Sequence, residues 1–241
     1  AIVTITKHPG RLLLNTFFSL RQYIELSPEL FSWFIFDSGH DSKEVEYLQS
    51  IQSAFPIYIY KGYDKGIYHA LNASISKISS SRFSHIIFVH AGDCLTPAFF
   101  ENCRSINLSS HSAYYFDYCL IDSPSRMKHP LLNLITLFEI NMLWRLPSTH
   151  NSIVYPIDKL KAYQFSLSYS CASDFDQYIK LLEHDLLFQS VPVLGVLVYR
   201  KGFVLNRRKQ AYREYSNVLR SKNYFGSLYW FIKSLLIRKH V

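Results

Sequence analysis

Tyr63-Asp64-Lys65-Gly66-Ile67-Tyr68-His69-Ala70-Leu71-Asn72, followed by the apolar run Ile86-Ile87-Phe88-Val89 and then by His90-Ala91-Gly92-Asp93, is the stretch whose reading decides the fold. Asp64 and Lys65 stand in a turn ahead of a helix, because from Ile67 onward Ala70, Leu71, Ile75 and Ile78 fall on one helical face. Asp93 closes a short, wholly apolar run, the pattern of a strand buried on both faces. One acidic residue before a helix and another at a strand end are placed where an α/β crevice binds nucleotides.

The same alternation extends toward the N-terminus. Ile2-Val3-Thr4-Ile5-Thr6 reads as a strand that stops at the loop signal Lys7-His8-Pro9-Gly10, and Leu13, Phe17, Leu20 and Ile24 mark a helix over Leu12 to Ile24. Phe31 to Phe36 reads as a second strand ending at Asp37-Ser38-Gly39, Lys43 to Phe55 as a helix, and Ile57 to Tyr60 as a third strand. Strands and helices in this order predict an α/β fold with a mostly parallel sheet, with Asp37, Asp64 and Asp93 at its carboxyl edge. The second half is less regular. Ala113 to Ile121 reads as a strand, Leu131 to Trp144 as a helix, and Leu186 to Tyr199, with Gln189, Pro192 and Gly195, as a buried strand with its flanks. Phe175, Tyr178, Ile179 and Leu182 have helical spacing, so a helix starts near Ser173-Asp174.

Apolar residues make up 49% of the 241 positions, which excludes bulk disorder and allows one sizeable core. The net charge of +8 favours phosphate-rich partners: nucleic acid, anionic lipid or nucleotide-sugar diphosphates. Cys94, Cys103, Cys119 and Cys171 have no CxxC spacing, and no leader precedes the first strand, so the expectation is a reduced, cytoplasmic protein. No apolar run reaches the ~20 residues that span a bilayer. The C-terminal part from Arg200 is strongly basic, and its aromatic and leucine-rich segment from Tyr224 to Ile237 reads equally as a helix on the inner face of the cytoplasmic membrane and as a helix packed on the core.

Three segments carry a resemblance: Phe36-Asp37-Ser38-Gly39-His40-Asp41-Ser42, Gly62 to Asn72, and Val89-His90-Ala91-Gly92-Asp93. In this order and at this spacing they resemble glycosyltransferase family 2, the inverting nucleotide-sugar glycosyltransferases, especially short bacterial members that build surface polysaccharides such as O-antigen or capsule. Thr149-His150-Asn151-Ser152-Ile153-Val154-Tyr155 and Cys171-Ala172-Ser173-Asp174-Phe175-Asp176 continue it more weakly. The resemblance implies a GT-A-like nucleotide-sugar-binding fold over residues 1–200, with a nucleotide-sugar-binding half at 1–105, an acceptor half at 106–200, and a basic amphipathic helical tail at 201–241.

The resemblance also implies roles. Asp174 is the general base that takes the acceptor proton, with Asp176 as its substitute if the alignment slips. Thr6, Asp37, Asp64, Lys65, Ala91, Gly92, Asp93 and Arg200 bind the nucleotide sugar, a UDP-sugar, and Asp93 with His150 holds Mn2+ or Mg2+. The acceptor is a saccharide or lipid-linked saccharide, and nucleic acid is not a partner. Many relatives carry a D-x-D pair, whereas this chain reads Ala91-Gly92-Asp93, so the first carboxylate is absent. Spacing alone reads Asp37 as an Asx-turn, Asp64 and Asp174 as helix caps, and His150 as a hydrogen-bonded core histidine. Two other classes stay open: a basic nucleic-acid-binding protein, from charge and aromatics, and a catalytically degenerate sugar-nucleotide binder, from the missing carboxylate.

Overall fold

The computed structural model describes residues 1–7, 9–39, 42–51, 56–62, 65–123, 126–128, 146–199, 207–222, 224 and 226–236. The helix expected over Leu131 to Trp144 lies outside them, as do Asp64 and Arg200. The first half alternates as its periodicity dictates: β1 (Ile2–Thr6), α1 (Leu12–Leu26), β2 (Trp33–Asp37), α2 (Lys43–Ser50), β3 (Ile57–Lys61), α3 (Ile67–Lys77) and β4 (His85–Phe88). There follow β5 (Cys94–Leu95), α4 (Pro97–Ser105), β6 (Ser112–Ser123), β7 (Arg126–Lys128), a 3-10 turn at His150–Ser152 and β8 (Ile153–Pro156). The chain ends in α5 (Ile157–Ala162), α6 (Ser173–Glu183), β9 (Leu187–Tyr199), α7 (Arg208–Ser221) and α8 (Gly226–Leu236).

Among the described residues the strands form one sheet in the order β3-β2-β1-β4-β8-β6-β9-β5, with β7 on the free side of β6. β3, β2, β1 and β4 are parallel, and β9 runs parallel to β6, while β8 is antiparallel to both β4 and β6. The order reverses beside β1, and ligands of open α/β sheets bind in the crevice at such a switch point.

Alternation along the strands divides the core in two. Val3, Phe34, Phe36, Ile86 and Phe88 pack under α3, α5, α6 and α7 on one face, through Leu71, Ile75, Ile157, Leu160, Phe175, Ile179, Val218 and Leu219. Ile2, Trp33, Ile35, Ile87 and Val89 pack on the other face under α1, α2 and α4, through Leu13, Phe17, Leu20, Val45, Leu48 and Phe99. The basic C-terminal segment is therefore divided too. Helix α7 contributes Val218 and Leu219 to the core, whereas α8 exposes Leu228, Phe231, Ile232 and Leu235.

Local chemistry explains the boundaries that depart from the expected ones. Helix α2 stops at Ser50, short of Phe55, because Ile51 leaves helical geometry at φ −102 and ψ 1. Phe31 stays out of β2 because its N–H turns back to the Ser27 carbonyl at 3.1 Å, and the strand instead extends to Asp37. Strand β9 contains two shifts of register against β6, between Phe116 and Asp117 and between Asp117 and Tyr118. Gly195 sits there because a Cβ would lie 2.7 Å from the Phe116 ring.

Candidate active site

At the carboxyl edge of the parallel block, Thr6, Asp37 and Lys61 stand side by side in register. The Thr6 carbonyl accepts the Ser38 N–H at 3.0 Å. Asp37 is 1% exposed, and its Oδ1 accepts the Gly39 N–H at 3.0 Å, so the Asx-turn read from spacing is formed. Lys65 is exposed just ahead of Gly66, whose φ of +102° favours glycine at the entry to α3.

The loop after β4 is built around Asp93, which is 2% exposed. Its Oδ1 accepts the Tyr199 N–H from the end of β9 at 2.8 Å. Its Oδ2 accepts the His90 N–H at 3.2 Å and the Asn151 side-chain amide from the 3-10 turn. Thr16 of α1 locks the same loop from below, accepting the Gly92 N–H at 3.0 Å and donating to the Asp93 carbonyl at 2.9 Å. Gly92 has φ +100°, and a Cβ there would meet the Tyr199 Cβ at 3.2 Å, so this close approach requires glycine. Partly buried Ala91 packs against the adjoining core. Burial pushes the Asp93 carboxyl up to about 6, with the three donors opposing that rise.

His150, 7% exposed, stacks on Phe88 with ring centroids 4.9 Å apart and meets Phe165 edge-on at 5.4 Å. Its Nδ1 lies 3.5 Å from the Tyr155 hydroxyl, and its Nε2 is buried with no hydrogen-bond partner. Burial, and then the neighbouring His90, hold this imidazole neutral by lowering its pKa to about 3.

Asp174 lies in the first turn of α6, half-buried, with its Oδ1 accepting the Phe175 N–H at 2.9 Å. Burial raises its carboxyl to about 6, and the Glu214 carboxylate adds to the rise. Its charge in turn acts on Tyr68 of α3 and Tyr155 of β8, both held protonated well above the usual phenol range, chiefly by burial. Asn151 binds Asp93, its chain neighbour His150 reaches Tyr155, and the Asp174 charge adds, behind burial, to the rise of the Tyr155 phenol. Asp176, the alternative base, is 4% exposed and paired with Lys180 at 2.6 Å one turn along α6. The N-cap position of α6 is Ala172, which offers no side-chain cap, and its own N–H is accepted by Glu214 of α7 at 3.1 Å.

Solved structures share this architecture. The structure of S. aureus TarS 1–349 aligns with TM-score 0.67 and 10% identity over 97% of this chain and 70% of that one. The chain has the GT-A glycosyltransferase fold. The same TarS segment in complex with UDP-GlcNAc aligns at 0.66 and 10% identity, covering 90% and 65% of the two chains. The mannosyltransferase PcManGT from Pyrobaculum calidifontis, in complex with GDP-Man and Mn2+, aligns at 0.65 and 13% identity, covering 92% and 63%. The present chain spans 38% of a longer TarS structure. No protein-family model matches the sequence, and no curated protein matches it.

Within the GT-A fold the donor set can be tested for a divalent cation. Among the described residues no three His, Cys, Asp or Glu side chains come together as a closed metal site. Asp93 has donors on three of its roughly four lone-pair positions, which leaves room for one cation contact through Oδ1. The neutral His150 carries an unpaired Nε2. This pair suits a cation held by one or two protein ligands, with most of its coordination left to phosphate and water. Among the described residues no helix is long and apolar enough to cross a membrane. Asn151, Thr16 and Glu214 escaped the sequence reading. Asn151 adjoined a quoted histidine and was a legible candidate, whereas Glu214 lies outside every recognised motif.

Proposed function

We propose that the chain is an inverting glycosyltransferase that moves a sugar from a nucleotide-sugar donor, a UDP-sugar, to a saccharide or lipid-linked saccharide in bacterial surface polysaccharide synthesis. The observation that carries this reading is the buried Asp93 beyond β4 in a GT-A sheet, bound by Tyr199 and Asn151, together with the half-buried Asp174 in the first turn of α6. Inversion by in-line displacement needs one base and no covalent intermediate. Asp174 is that base: a carboxyl near pH 6 is ionised at neutral pH yet basic enough to take a proton as the acceptor hydroxyl attacks. Asp37 and Thr6 at the strand ends receive the nucleoside, a role the family resemblance extends to Asp64. Lys65 and the Ala91-Gly92 backbone serve the diphosphate, whose charge the α3 N-terminus also favours, and the resemblance adds Arg200 to them. Asp93 and His150 would hold Mn2+ or Mg2+, which neutralises the departing diphosphate when bound.

The test is transfer and donor hydrolysis over a panel of nucleotide sugars with Mn2+, using wild type, Asp93→Asn and Asp174→Asn. The proposal expects wild-type turnover and loss in both variants; folded variants that both keep wild-type turnover would remove it. The degenerate reading draws on Ala91 and on the nearly filled Asp93 carboxylate. UDP binding by calorimetry, without transfer to any acceptor, would favour it.

A further inference from the structure

Helix α7 begins beyond the region of family resemblance, yet its Glu214 is bound to the loop that leads into the candidate base. One carboxylate oxygen of Glu214 accepts three successive backbone N–H groups, from Ser170 at 3.0 Å, Cys171 at 2.7 Å and Ala172 at 3.1 Å. The other accepts the Ser170 hydroxyl at 2.9 Å and the Gln210 amide at 3.1 Å, and Gln210 also donates to the Ser170 hydroxyl at 2.6 Å. Successive amides at a helix N-terminus form a concave anion site, and here a side chain of the protein fills it. These amides belong to the segment just ahead of α6, and among the described side chains Glu214 alone accepts them, while the Phe175 N–H inside the first turn goes to Asp174. Val218 and Leu219, one turn further along α7, anchor the helix in the core and make this a rigid mount.

We propose that Glu214 is the positioning residue for Asp174: it fixes the loop at 170–172, and with it the first turn of α6, so that α7 belongs to the reaction centre. The role of Asp174 rests on the proposed function; the structural coupling does not. The groups facing Asp174 are Glu214 from α7, Tyr68 from α3, Tyr155 from β8 and Cys171 from the loop itself. Among them the Glu214 carboxylate adds, behind burial, to the rise of the Asp174 carboxyl.

Three variants of the full chain separate position from charge. Glu214→Gln keeps an oxygen for the amides and removes the charge, Glu214→Ala removes both, and Glu214→Asp shortens the reach. Expected for Glu214→Ala is a fall in kcat of roughly tenfold or more with donor KM nearly unchanged, partly restored in Glu214→Asp. Expected for Glu214→Gln is a largely retained plateau whose acid limb moves to lower pH. The Asp174 carboxyl is also titrated directly by carbon-13 NMR, and amide exchange is followed at 170–172, neither of which requires turnover. A folded Glu214→Ala variant that loses only thermal stability, or one whose exchange at 170–172 is unchanged, overturns the proposal. If wild type transfers no sugar, the proposed function fails on its own. The coupling then stands or falls on faster exchange at 170–172 in Glu214→Ala. Should Glu214→Ala not fold, amide exchange at 170–172 and kcat in Glu214→Asp decide: unchanged exchange and unchanged kcat overturn the proposal.

Discussion

The Asp93 corner and the Asp174 corner each hold a carboxyl raised to about 6 by burial, but they hold it for opposite purposes. Asp93 ties together the ends of β4 and β9 and the 3-10 turn, with its own oxygens as the knot. Asp174 accepts one neighbouring amide and is supported from behind, through a loop that Glu214 secures. A carboxylate used as a strut should cost stability when removed. A carboxylate kept available for chemistry should cost activity and return stability, the familiar conflict between a strained site and a stable fold.

The largest expected effect lies at Asp174. Asp174→Asn should lower kcat by about 10²- to 10⁴-fold, the range of a lost general base, measured at saturating donor. Its stability effect has the opposite sign. The folded carboxyl titrates near 6 against an unperturbed 3.8, so its contribution to stability is present below about pH 4 and is lost as pH rises through 6. Asparagine removes that loss, and thermal unfolding at pH 7.5 should show a gain of up to about 2 kcal/mol, absent at pH 4. A variant that loses both activity and stability at pH 7.5 would make the two corners alike.

Next comes Asp93→Ala, which orphans the Tyr199 and His90 N–H groups and the Asn151 amide. Each buried donor left unpaired costs about 1–3 kcal/mol, so urea unfolding should show a loss of about 3 kcal/mol or more. Asn151→Ala removes one donor and should cost about 1–3 kcal/mol, with the Asp93 titration moving upward. Gly92→Ala should cost a comparable ~1–3 kcal/mol, because the added Cβ must be held at φ +100° and against Tyr199. An Asn151→Ala variant of wild-type stability would show that the strut is not bearing strain.

The carboxyl edge of the parallel block was legible because its signals are local. Strand and helix periods change within a few residues, and Asp37 and Asp93 punctuate apolar runs. Their hydrogen bonds were less so: the Asx-turn at Asp37 spans two residues and was foreseen, whereas Asn151 reaches Asp93 across 58. Strand β9 reads as an apolar run, but its parallel pairing with β6 and its two register shifts depend on tertiary packing. The tail shows the limit most clearly. Composition alone balances core packing against an interfacial helix, and the fold assigns the buried role to α7 while exposing an apolar stripe on α8. Glu214 had no motif to announce it, since its partners lie 42 to 44 residues upstream in a loop.

The most direct test of the central claim is the pH dependence of sugar transfer at saturating donor, in wild type and Asp174→Asn. The account predicts a wild-type rate that rises through a single ionisation near pH 6 to a plateau, and a folded variant that lacks both the plateau and the ionisation. A variant that reproduces the wild-type profile would contradict it.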